Sequence, residues 1–350
     1  YEIMPSLVGS EMCIRDSSLA AAVVLAVTAL PMGVFAAKKD STEEKLTKVT
    51  LNEVAHSIFY APQYVAIEEG YFAEKGLDLT LVTGFGADKT MTAVISGEAD
   101  IGFMGAEASV YAYQEGATDP VVNFAQLTQR AGNFLVAREE MPDFKWEDLK
   151  GEKVLGGRKG GMPEMVFEYI LKKNGIDPQK DLTIDQSIDF GSTAAAFTSD
   201  DSAAYTVEFE PSATILEKEG AGYVVASLGE ASGYVPYTSY STKASYMKEN
   251  PEIIQKFTDA LQKGMDYVQN HTPEEIAEVI APQFKETDLE TITAIVKRYY
   301  DQDTWKENLI FEKDSFELLQ DILEDAGELT DRTAYENLVQ TEYAQKACKN

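Results

Sequence analysis

Groups able to carry out catalysis or to hold a metal are few in this chain. His56 and His271 are its only histidines, so a zinc site built from several histidines is impossible, and a serine triad would depend on one of the two. Residues 156–162 (GGRKGGM) have the glycines of a phosphate loop, but Met162 and Pro163 stand where Lys and Ser or Thr are required. The many carboxylates have no EF-hand spacing. We therefore expect neither an enzyme nor a bound metal or cofactor.

Three glycine-containing turns can instead bind a ligand through their backbone. They precede predicted helices, whose first N–H groups have no partner within the helix and can donate to ligand oxygens. The residues predicted to contact a ligand in these turns are Gly86 and Ala87, then Gly105, Ala106 and Glu107, and finally Gly160, Gly161 and Met162. Tight turns that bind nothing use glycine in the same way, and this alternative stays open.

Hydrophobic periodicity predicts the elements that position these turns. In the first unit, strands at 48–54, 77–82, 101–104 and 121–127 alternate with helices at 60–69, 87–96 and 107–115. In the second unit, strands at 133–137, 153–155, 182–188, 203–207 and 223–227 accompany helices at 163–173 and 211–218. This alternation predicts an α/β protein with mainly parallel sheets, in which ligands gather at the carboxyl ends of the strands.

From residue 250 onward the chain is predicted to be nearly all helix. The apolar stripe of the helix at 251–269 consists of Ile253, Ile254, Phe257, Leu261 and Val268. The predicted capping boxes pair Thr272 with Glu275, Thr287 with Glu290 and Asp314 with Glu317. The acidic residues after Leu329 are predicted to be peripheral. Together these patterns indicate two α/β lobes with a central cleft and a helical C-terminal segment.

Composition excludes one large class of function. The 350 residues are 44% apolar and 10% aromatic, which suffices for a sizeable core and suggests two domains. Asp and Glu total 59 against 30 Lys and Arg, a formal net charge of −29. Such a surface repels phosphate backbones and anionic lipid headgroups, so we expect no binding to nucleic acid.

An export signal is predicted near the start of the chain. Residues 18–30 (SLAAAVVLAVTAL) form an apolar run followed by small residues, so residues 18–37 fit a secretory signal peptide. A membrane anchor is the alternative, but a span needs about 20 apolar residues. Residues 1–17 lack an initial Met and a basic region, and we interpret them as a non-native artefact. The mature protein is expected in the periplasm or on the outer face of the membrane.

The two cysteines give no sign of a disulfide framework or of a lipid anchor. Cys13 lies in the segment interpreted as non-native and Cys348 lies near the end of the chain. A lipid-anchored protein would carry a cysteine just after the apolar run, where Ala36, Ala37 and Lys38 stand. We therefore expect a mature protein without a lipid anchor.

Several segments carry a family resemblance. Residues 58–81 (IFYAPQYVAIEEGYFAEKGLDLTL), 96–105 (SGEADIGFMG) and 148–157 (DLKGEKVLGG) together resemble the family that unites SsuA-like alkanesulfonate receptors with thiamine-pyrimidine synthases. The likeness extends from Lys48 to about Leu329. It implies a type II periplasmic-binding-protein fold and a monomeric solute receptor that closes about a hinge and docks on an ABC permease with its ATPase.

The resemblance also implies how the chain is divided. Residues 38–135 and 240–330 would form the first lobe, residues 136–239 an inserted second lobe, and residues 331–350 a C-terminal tail. The chain would cross between the lobes near residues 134–137 and 237–242.

Further ligand contacts follow from the same resemblance. They are Phe59, Tyr60, Glu208, Glu210, Tyr234 and Tyr237. The first two match positions that line the family's site and suit stacking on a flat ligand, although ordinary core aromatics are the alternative. Glu208 matches an acidic position that accepts hydrogen bonds from an amino-heterocycle in pyrimidine-binding relatives, with Glu210 as the second candidate. The two tyrosines would form walls of the cleft.

The chain departs from the family in ways that bear on its ligand. Glu53 stands where Trp is frequent, and the segment matching the cysteine-rich run of the synthases, residues 232–240 (SGYVPYTSY), has no cysteine, which argues against that enzyme. With Glu53, Glu107 and Glu208 as candidate lining groups, burying an anion is unfavourable. The sequence therefore favours a neutral or cationic nitrogenous aromatic, such as an aminopyrimidine precursor of thiamine. Arg130 and Arg158 keep an alkanesulfonate or nitrate as the alternative, and a purely structural surface protein is a third.

Overall fold

The computed structural model describes residues 45–188 and 190–349, so the predictions for residues 1–17 and 18–37 lie outside the described residues. The strands are β1 (Thr47–Glu53), β2 (Leu77–Thr83), β3 (Ile101–Met104), β4 (Val121–Thr128), β5 (Phe134–Ala137), β6 (Lys153–Leu155), β7 (Thr183–Asp185), β8 (Tyr205–Glu208), β9 (Tyr223–Ser227) and β10 (Thr238–Lys243). The helices are α1 (Ala61–Glu68), α2 (Tyr71–Glu74), α3 (Ala87–Ser96), α4 (Glu107–Gln114), α5 (Met162–Lys173), α6 (Thr193–Ser199), α7 (Ser212–Lys218), α8 (Leu228–Ser232), α9 (Ala244–Glu249), α10 (Pro251–Asn270), α11 (Pro273–Ile280), α12 (Leu289–Asp301), α13 (Lys313–Asp325), α14 (Tyr335–Leu338) and α15 (Glu342–Ala347).

The strands form two five-stranded mixed sheets. The first has the order β2-β1-β3-β10-β4, with β1 parallel to β2 and β3, and β10 antiparallel to β3 and β4. The second has the order β7-β6-β8-β5-β9, with β6 parallel to β7 and β8, and β5 antiparallel to β8 and β9. We call the parts built on these sheets lobe 1 and lobe 2. The predicted two-lobed α/β class is confirmed, but the sheets are not mainly parallel as predicted, because β10 and β5 each enter between or beside the parallel strands in the opposite direction.

The chain passes between the two sheets twice. It leaves β4 for β5 through residues 129–133 and returns from β9 to β10 through residues 228–237. Both crossings join the sheet edges at which the parallel strands end, because β10 begins opposite the ends of β3 and β4, and Glu208 at the end of β8 pairs with Phe134 at the start of β5. The turns singled out from the sequence therefore lie at the junction between the lobes.

Helix α10 closes the core of lobe 1. Its buried side chains include Ile254, Phe257, Leu261 and Val268, as the apolar stripe predicts, whereas Ile253 is only half-buried. The helix packs on α1, α2 and α15. At the crossing with α1, a β-carbon placed on Gly264 would overlap the backbone carbonyl oxygen of Pro62. The two helix backbones therefore touch where this glycine lies.

The residues after Leu329 are part of the core, so the prediction that they are peripheral is wrong. Leu338, Tyr343 and Ala344 are buried, and Val339 forms a bridge with Asn123 of β4. Helix α15 packs on α10 and β4. The acidic side chains of this segment lie on its exposed face, which is why composition alone indicates a peripheral tail.

Only one of the three predicted capping boxes is present. Thr272 caps α11, accepting from the Glu275 N–H at 3.3 Å, and the Glu275 carboxylate accepts from the Thr272 N–H at 2.9 Å. Helix α12 is capped by Asp288 rather than Thr287. Helix α13 starts at Lys313, which places Asp314 in its first turn.

Candidate functional site

The two lobes are in contact along their junction, so the cleft between them is closed. Tyr111 Oη donates to the Gly160 carbonyl oxygen at 3.2 Å. Ser57 Oγ of lobe 1 donates to the Glu210 carbonyl oxygen of lobe 2, also at 3.2 Å. These contacts place the turns before α4 and α5 against each other across the junction.

Aromatic rings form one wall of this junction. Phe59 is fully buried, and its ring centroid lies 5.2 Å from Tyr60, 5.6 Å from Phe209, 5.7 Å from Tyr237 and 5.2 Å from Tyr299. Phe209 comes from lobe 2, so the ring cluster spans both lobes. The structure thus brings three predicted site residues, Phe59, Tyr60 and Tyr237, into one cluster.

Glu107 is the most unusual polar group at the junction. It opens α4, and its side chain is buried. The backbone N–H groups of Glu107 itself and of Met162 in lobe 2 favour its charged form, while its Oε2 atom has no hydrogen-bond partner. Burial raises the pKa of Glu107 to about 7, and the two N–H groups and the charge of Arg158 oppose this rise.

The turn before α4 gives this carboxylate its room. The Glu107 side chain folds back over Gly105, and a β-carbon placed on Gly105 would overlap both carboxylate oxygens. Gly105 is thus needed for close approach rather than for its backbone torsions. Ala106, the N-cap of α4, is buried beside it.

Two tyrosines face the same carboxylate. Burial first, and then the charges of Glu53 and Glu107, raise the pKa of Tyr60. For Tyr237 the causes of a raised pKa are burial and then Tyr60, Glu107 and Tyr299. The charge of Glu107 therefore acts on two members of the ring cluster.

Glu208 supplies a second buried carboxyl group, at the end of β8. Its Oε1 atom accepts from Thr206 Oγ1 at 2.6 Å. Burial raises the pKa of Glu208 to about 7, and the hydroxyls of Thr206 and Thr193 oppose the rise.

The other predicted turns occupy equivalent places. Gly86 is the N-cap of α3 and Ala87 its first residue. Gly161 is the N-cap of α5, and Gly160 before it adopts a φ of 77°. Met162 is the first residue of α5, and its N–H group favours the charged form of Glu107.

The remaining predicted contacts have other partners. The Glu210 carboxylate accepts from Arg298 Nη1 at 2.6 Å and from the N–H of Thr214 at 2.9 Å. Tyr234 is 56% exposed, with its hydroxyl donating to Asp303 at 2.5 Å and the guanidinium of Arg130 4.3 Å from its ring centroid. Tyr234 therefore joins the two crossings between the lobes through Arg130, and Glu210 is held by α7 and α12.

The sequence interpretation missed a polar network around Glu53. The donors to its buried carboxylate are His56 Nδ1 at 2.8 Å, Gln63 Nε2 at 2.7 Å, Tyr64 Oη at 2.8 Å and Thr83 Oγ1 at 3.2 Å. With four donors, Glu53 has no capacity left for a ligand, so its suggested lining role is wrong. The spacing of Glu53 and His56, three residues apart at the end of a strand, is the sequence signal that could have revealed the pair.

His56 is protonated in this network. Its Nδ1 faces the Glu53 carboxylate, and its Nε2 lies 3.0 Å from the Gln283 carbonyl oxygen, so both ring nitrogens must donate. The hydrogen bond to Glu53, opposed by burial and aided by Gln283 and the Glu53 charge, raises the pKa of His56. The His56 imidazolium therefore links Glu53 at the end of β1 to Gln283 in the segment after α11.

Replacing His56 with glutamine should lower the free energy of unfolding by about 1 kcal/mol at pH 6. Because the folded-state pKa is raised, the stabilisation is full below the unfolded pKa of about 6.5 and is lost as pH rises through the folded value. Urea unfolding at pH 6 and pH 9 measures this. His271→Gln, at the end of α10, controls for the loss of an imidazole. A difference between wild type and His56→Gln that is larger at pH 9 would contradict the assignment.

Comparison with known proteins identifies the family. The family model described as NMT1/THI5 like matches residues 58–276. The chain belongs to the NMT1/THI5-like family. This confirms the resemblance found in the sequence. The NMT1/THI5-like chain is 47% identical over 312 residues to YtlA of Bacillus subtilis (strain 168), whose name gives it as a candidate binding protein, and this match covers 89% of the chain and 93% of YtlA.

More distant relatives have names that specify a ligand or a reaction. The NMT1/THI5-like chain is 25% identical to the riboflavin-binding protein RibY of Chloroflexus aurantiacus, over 66% of the chain and 65% of RibY. It is 24% identical to the 4-amino-5-hydroxymethyl-2-methylpyrimidine phosphate synthase THI11 of Saccharomyces cerevisiae, over 60% of the chain and 63% of THI11.

The fold is that of periplasmic binding proteins. The alkanesulfonate-binding protein SsuA of Xanthomonas axonopodis pv. citri, bound to MOPS, superposes with a TM-score of 0.68 at 15% identity, over 85% of this NMT1/THI5-like chain and 99% of SsuA. Within residues 45–188 and 190–349, no three His, Cys, Asp or Glu side chains are placed to hold a metal ion. No helix in that part of the chain is long and apolar enough to cross a membrane.

Proposed function

We propose that this NMT1/THI5-like protein is the exported solute receptor of an ABC importer and that it captures a small nitrogenous aromatic molecule by closing its two lobes. One observation carries the proposal. The buried Glu107 carboxylate has an oxygen without a hydrogen-bond partner, and its charge acts on Tyr60 and Tyr237 where the lobes meet. An unsatisfied buried acceptor beside aromatic rings is the complement of a flat ligand with an N–H donor.

The charges at the junction favour this class of ligand over an anion. Glu107 and Glu208 are both buried there, on opposite lobes. An anion placed there would either meet repulsion from ionised carboxylates or require both carboxyl groups to stay protonated. The arginines at the junction compensate only in part. Arg158 lies 3.6 Å from Asp88 with half of its side chain exposed, and Arg130 stacks on Tyr234 and donates to the Gly229 carbonyl oxygen, although its buried Nε atom has no partner.

The relatives support the same choice. Riboflavin and the pyrimidine in the name of THI11 are nitrogen heteroaromatics, and both names belong to proteins that align with most of this chain. SsuA, with an alkanesulfonate in its name, shares the fold at 15% identity. The residues proposed to contact the ligand are Phe59, Tyr60, Gly86, Ala87, Gly105, Ala106, Glu107, Gly160, Gly161, Met162, Glu208 and Tyr237.

Capture by hinge closure is the mechanism that the two crossings allow. Residues 129–133 and 228–237 are the connections between the sheets, and contacts such as Tyr111 with Gly160 form only when the lobes meet. A ligand that touches both lobes stabilises the closed state, which a membrane permease can recognise. Nothing in this mechanism requires a second copy of the chain, and we propose a monomer.

A screen of thermal unfolding tests the proposal. The purified protein is heated with riboflavin, 4-amino-5-hydroxymethyl-2-methylpyrimidine, MOPS or nitrate. A ligand present at 100 times its dissociation constant stabilises the closed protein by about 2.7 kcal/mol, which raises the melting temperature by several degrees. We expect this shift with a heteroaromatic. A shift only with MOPS or nitrate would overturn the ligand class.

Glu208→Gln should lower the affinity for the heteroaromatic ligand about tenfold, because the amide has one acceptor oxygen fewer than the carboxylate. Glu219→Gln, an exposed carboxylate of the same lobe, is the matched control and should bind as wild type does. Equal affinity of Glu208→Gln and Glu219→Gln in calorimetry would move the site away from β8.

The similarity to THI11 supports a second candidate, a pyrimidine synthase that consumes one of its own histidines. Against it, residues 232–240 contain no cysteine, and both nitrogens of His56 are held by Glu53 and Gln283. Intact-mass measurement of the purified protein distinguishes the two. A receptor keeps its mass, whereas the synthase would lose part of a histidine.

A further inference from the structure

We propose that Glu107 takes up a proton when the empty receptor closes and releases it when a ligand donates an N–H group to its Oε2 atom, so that protons compete with the ligand for this oxygen. The proposal deepens the proposed function and rests on it. It concerns the regulation of capture and the kind of ligand group that the site accepts.

The geometry of the empty closed state is the starting point. Glu107 is 4% exposed, and its Oε2 atom has no partner. A buried carboxylate with one unsatisfied oxygen carries a charge that is stabilised only in part, because no water or donor reaches that oxygen. Adding a proton to that oxygen removes the charge. The closed empty form therefore favours the neutral acid, and burial raises the pKa of Glu107 to about 7 in agreement with this.

The charged and titratable groups around Glu107 do not reverse this preference. Tyr60 and Tyr237 face it from lobe 1 and the second crossing, and Tyr111 faces it from the same helix. Arg158 of lobe 2 favours the charged form, but its guanidinium is 52% exposed and lies 3.6 Å from Asp88. The tyrosine hydroxyls are neutral at physiological pH because burial raises their pKa values.

Ligand binding then replaces the proton on Oε2 of Glu107 with a hydrogen bond from the ligand. The ligand N–H donates to Oε2, which stabilises the carboxylate, and the proton that Oε2 carried leaves to solvent. No bond of the ligand is broken, and charge balances because one proton is released for each carboxylate formed. An anionic ligand would require the opposite, since the protonated acid must then act as the donor.

The sign of the pH dependence therefore separates the two kinds of ligand. For an N–H donor, affinity should rise as pH increases from about 5.5 to 7.5, by tenfold or more, because fewer protons compete. For an anion, affinity should fall over the same range. The Glu208 carboxyl also has a raised pKa, but Thr206 and Thr193 already donate to it, so we expect it to contribute less. Burial also raises the pKa of Glu164 on α5 to about 8, but its two oxygens already accept from the Gly160 N–H and from Gln186 Nε2, so no oxygen is left for a ligand N–H group.

Isothermal titration calorimetry with riboflavin, 4-amino-5-hydroxymethyl-2-methylpyrimidine and MOPS tests this. Titrations at pH 6 in buffers of different ionisation enthalpy count the protons released on binding. We expect close to one proton for a heteroaromatic that binds the wild type. The count should vanish in Glu107→Gln, which also binds at least tenfold more weakly, and should persist in Glu208→Gln.

Each result decides between the two proposals. A heteroaromatic that binds wild type without releasing a proton overturns the role of Glu107 and leaves the receptor function standing. Proton release that persists in Glu107→Gln assigns it to another group and also overturns that role. Binding of MOPS alone, or of none of the probes, overturns the proposed ligand class and the inference with it.

Discussion

Gly264→Ala is expected to lower the free energy of unfolding by about 3 kcal/mol, even though alanine is the better helix former by about 1 kcal/mol. The reason is the contact between α10 and α1. A β-carbon at residue 264 overlaps the Pro62 carbonyl oxygen and lies 3.1 Å from the β-carbon of Ala66. Both helices are held by further packing, so neither backbone can move away without losing contacts elsewhere. Urea unfolding followed by circular dichroism measures the change.

Lys263→Ala is the matched control for this variant. Lys263 precedes Gly264 on α10, but its side chain is 44% exposed and pairs with Glu74 at the surface. Its loss should change stability by about 0.5 kcal/mol or less. If Gly264→Ala is instead more stable than wild type, the crossing of α10 and α1 has room for a methyl group and the close approach is not a constraint.

Arg298→Met is expected to cost about 3–5 kcal/mol of stability, because it leaves a buried carboxylate without its partner. Arg298 lies on α12 and donates to Glu210 Oε1 at 2.6 Å and Glu217 Oε2 at 2.8 Å. The Glu210 side chain is fully buried, whereas that of Arg298 is 29% exposed. Methionine keeps most of the volume and removes the charge, so the measured loss reports the unpaired carboxylate.

Two further measurements identify the cause of that loss. The pKa of Glu210 is already raised by burial against the opposing charge of Arg298, and removing Arg298 must raise it further. A raised pKa means that the folded state binds the proton more tightly, so the destabilisation should shrink as pH falls. Arg298→Met combined with Glu210→Gln should recover more than half of the loss. A loss independent of pH and unrelieved in the double variant would point to packing instead.

Much of the fold could be predicted from local patterns. The bounds of α3, β3, β6 and β9 agree with hydrophobic periodicity to the residue. Strand β10 could not be predicted as a strand because it is polar and nevertheless buried. Its Ser239 hydroxyl donates to Asn123 at 2.6 Å and its Thr242 hydroxyl to the Asp100 carbonyl oxygen at 2.6 Å. Hydropathy cannot show such pairing, because the partners lie more than a hundred residues away.

The candidate site was predictable in position but not in detail. Strand-to-helix turns mark the junction, and Glu107 was among the residues predicted there. The fate of each carboxylate depends on partners that only the folded chain brings close. Arg298 engages Glu210 from 88 residues away, and the donors to Glu53 come from three different elements. Glu53, Glu107 and Glu210 look alike in sequence, but Glu53 is saturated with donors, Glu210 pairs with Arg298 and Glu107 keeps an oxygen without a partner.

The place of β10 in the first sheet also sets the order in which the protein can be built. The strands of lobe 2 are consecutive, from Phe134 to Ser227, so this lobe has all of its strands once that segment has been synthesised. Strands β3 and β4 are made earlier, but the strand that lies between them begins only at Thr238. Until then each exposes an unpaired edge that can pair with another nascent chain. The first sheet can therefore be completed only after the whole of lobe 2 and the second crossing have been made.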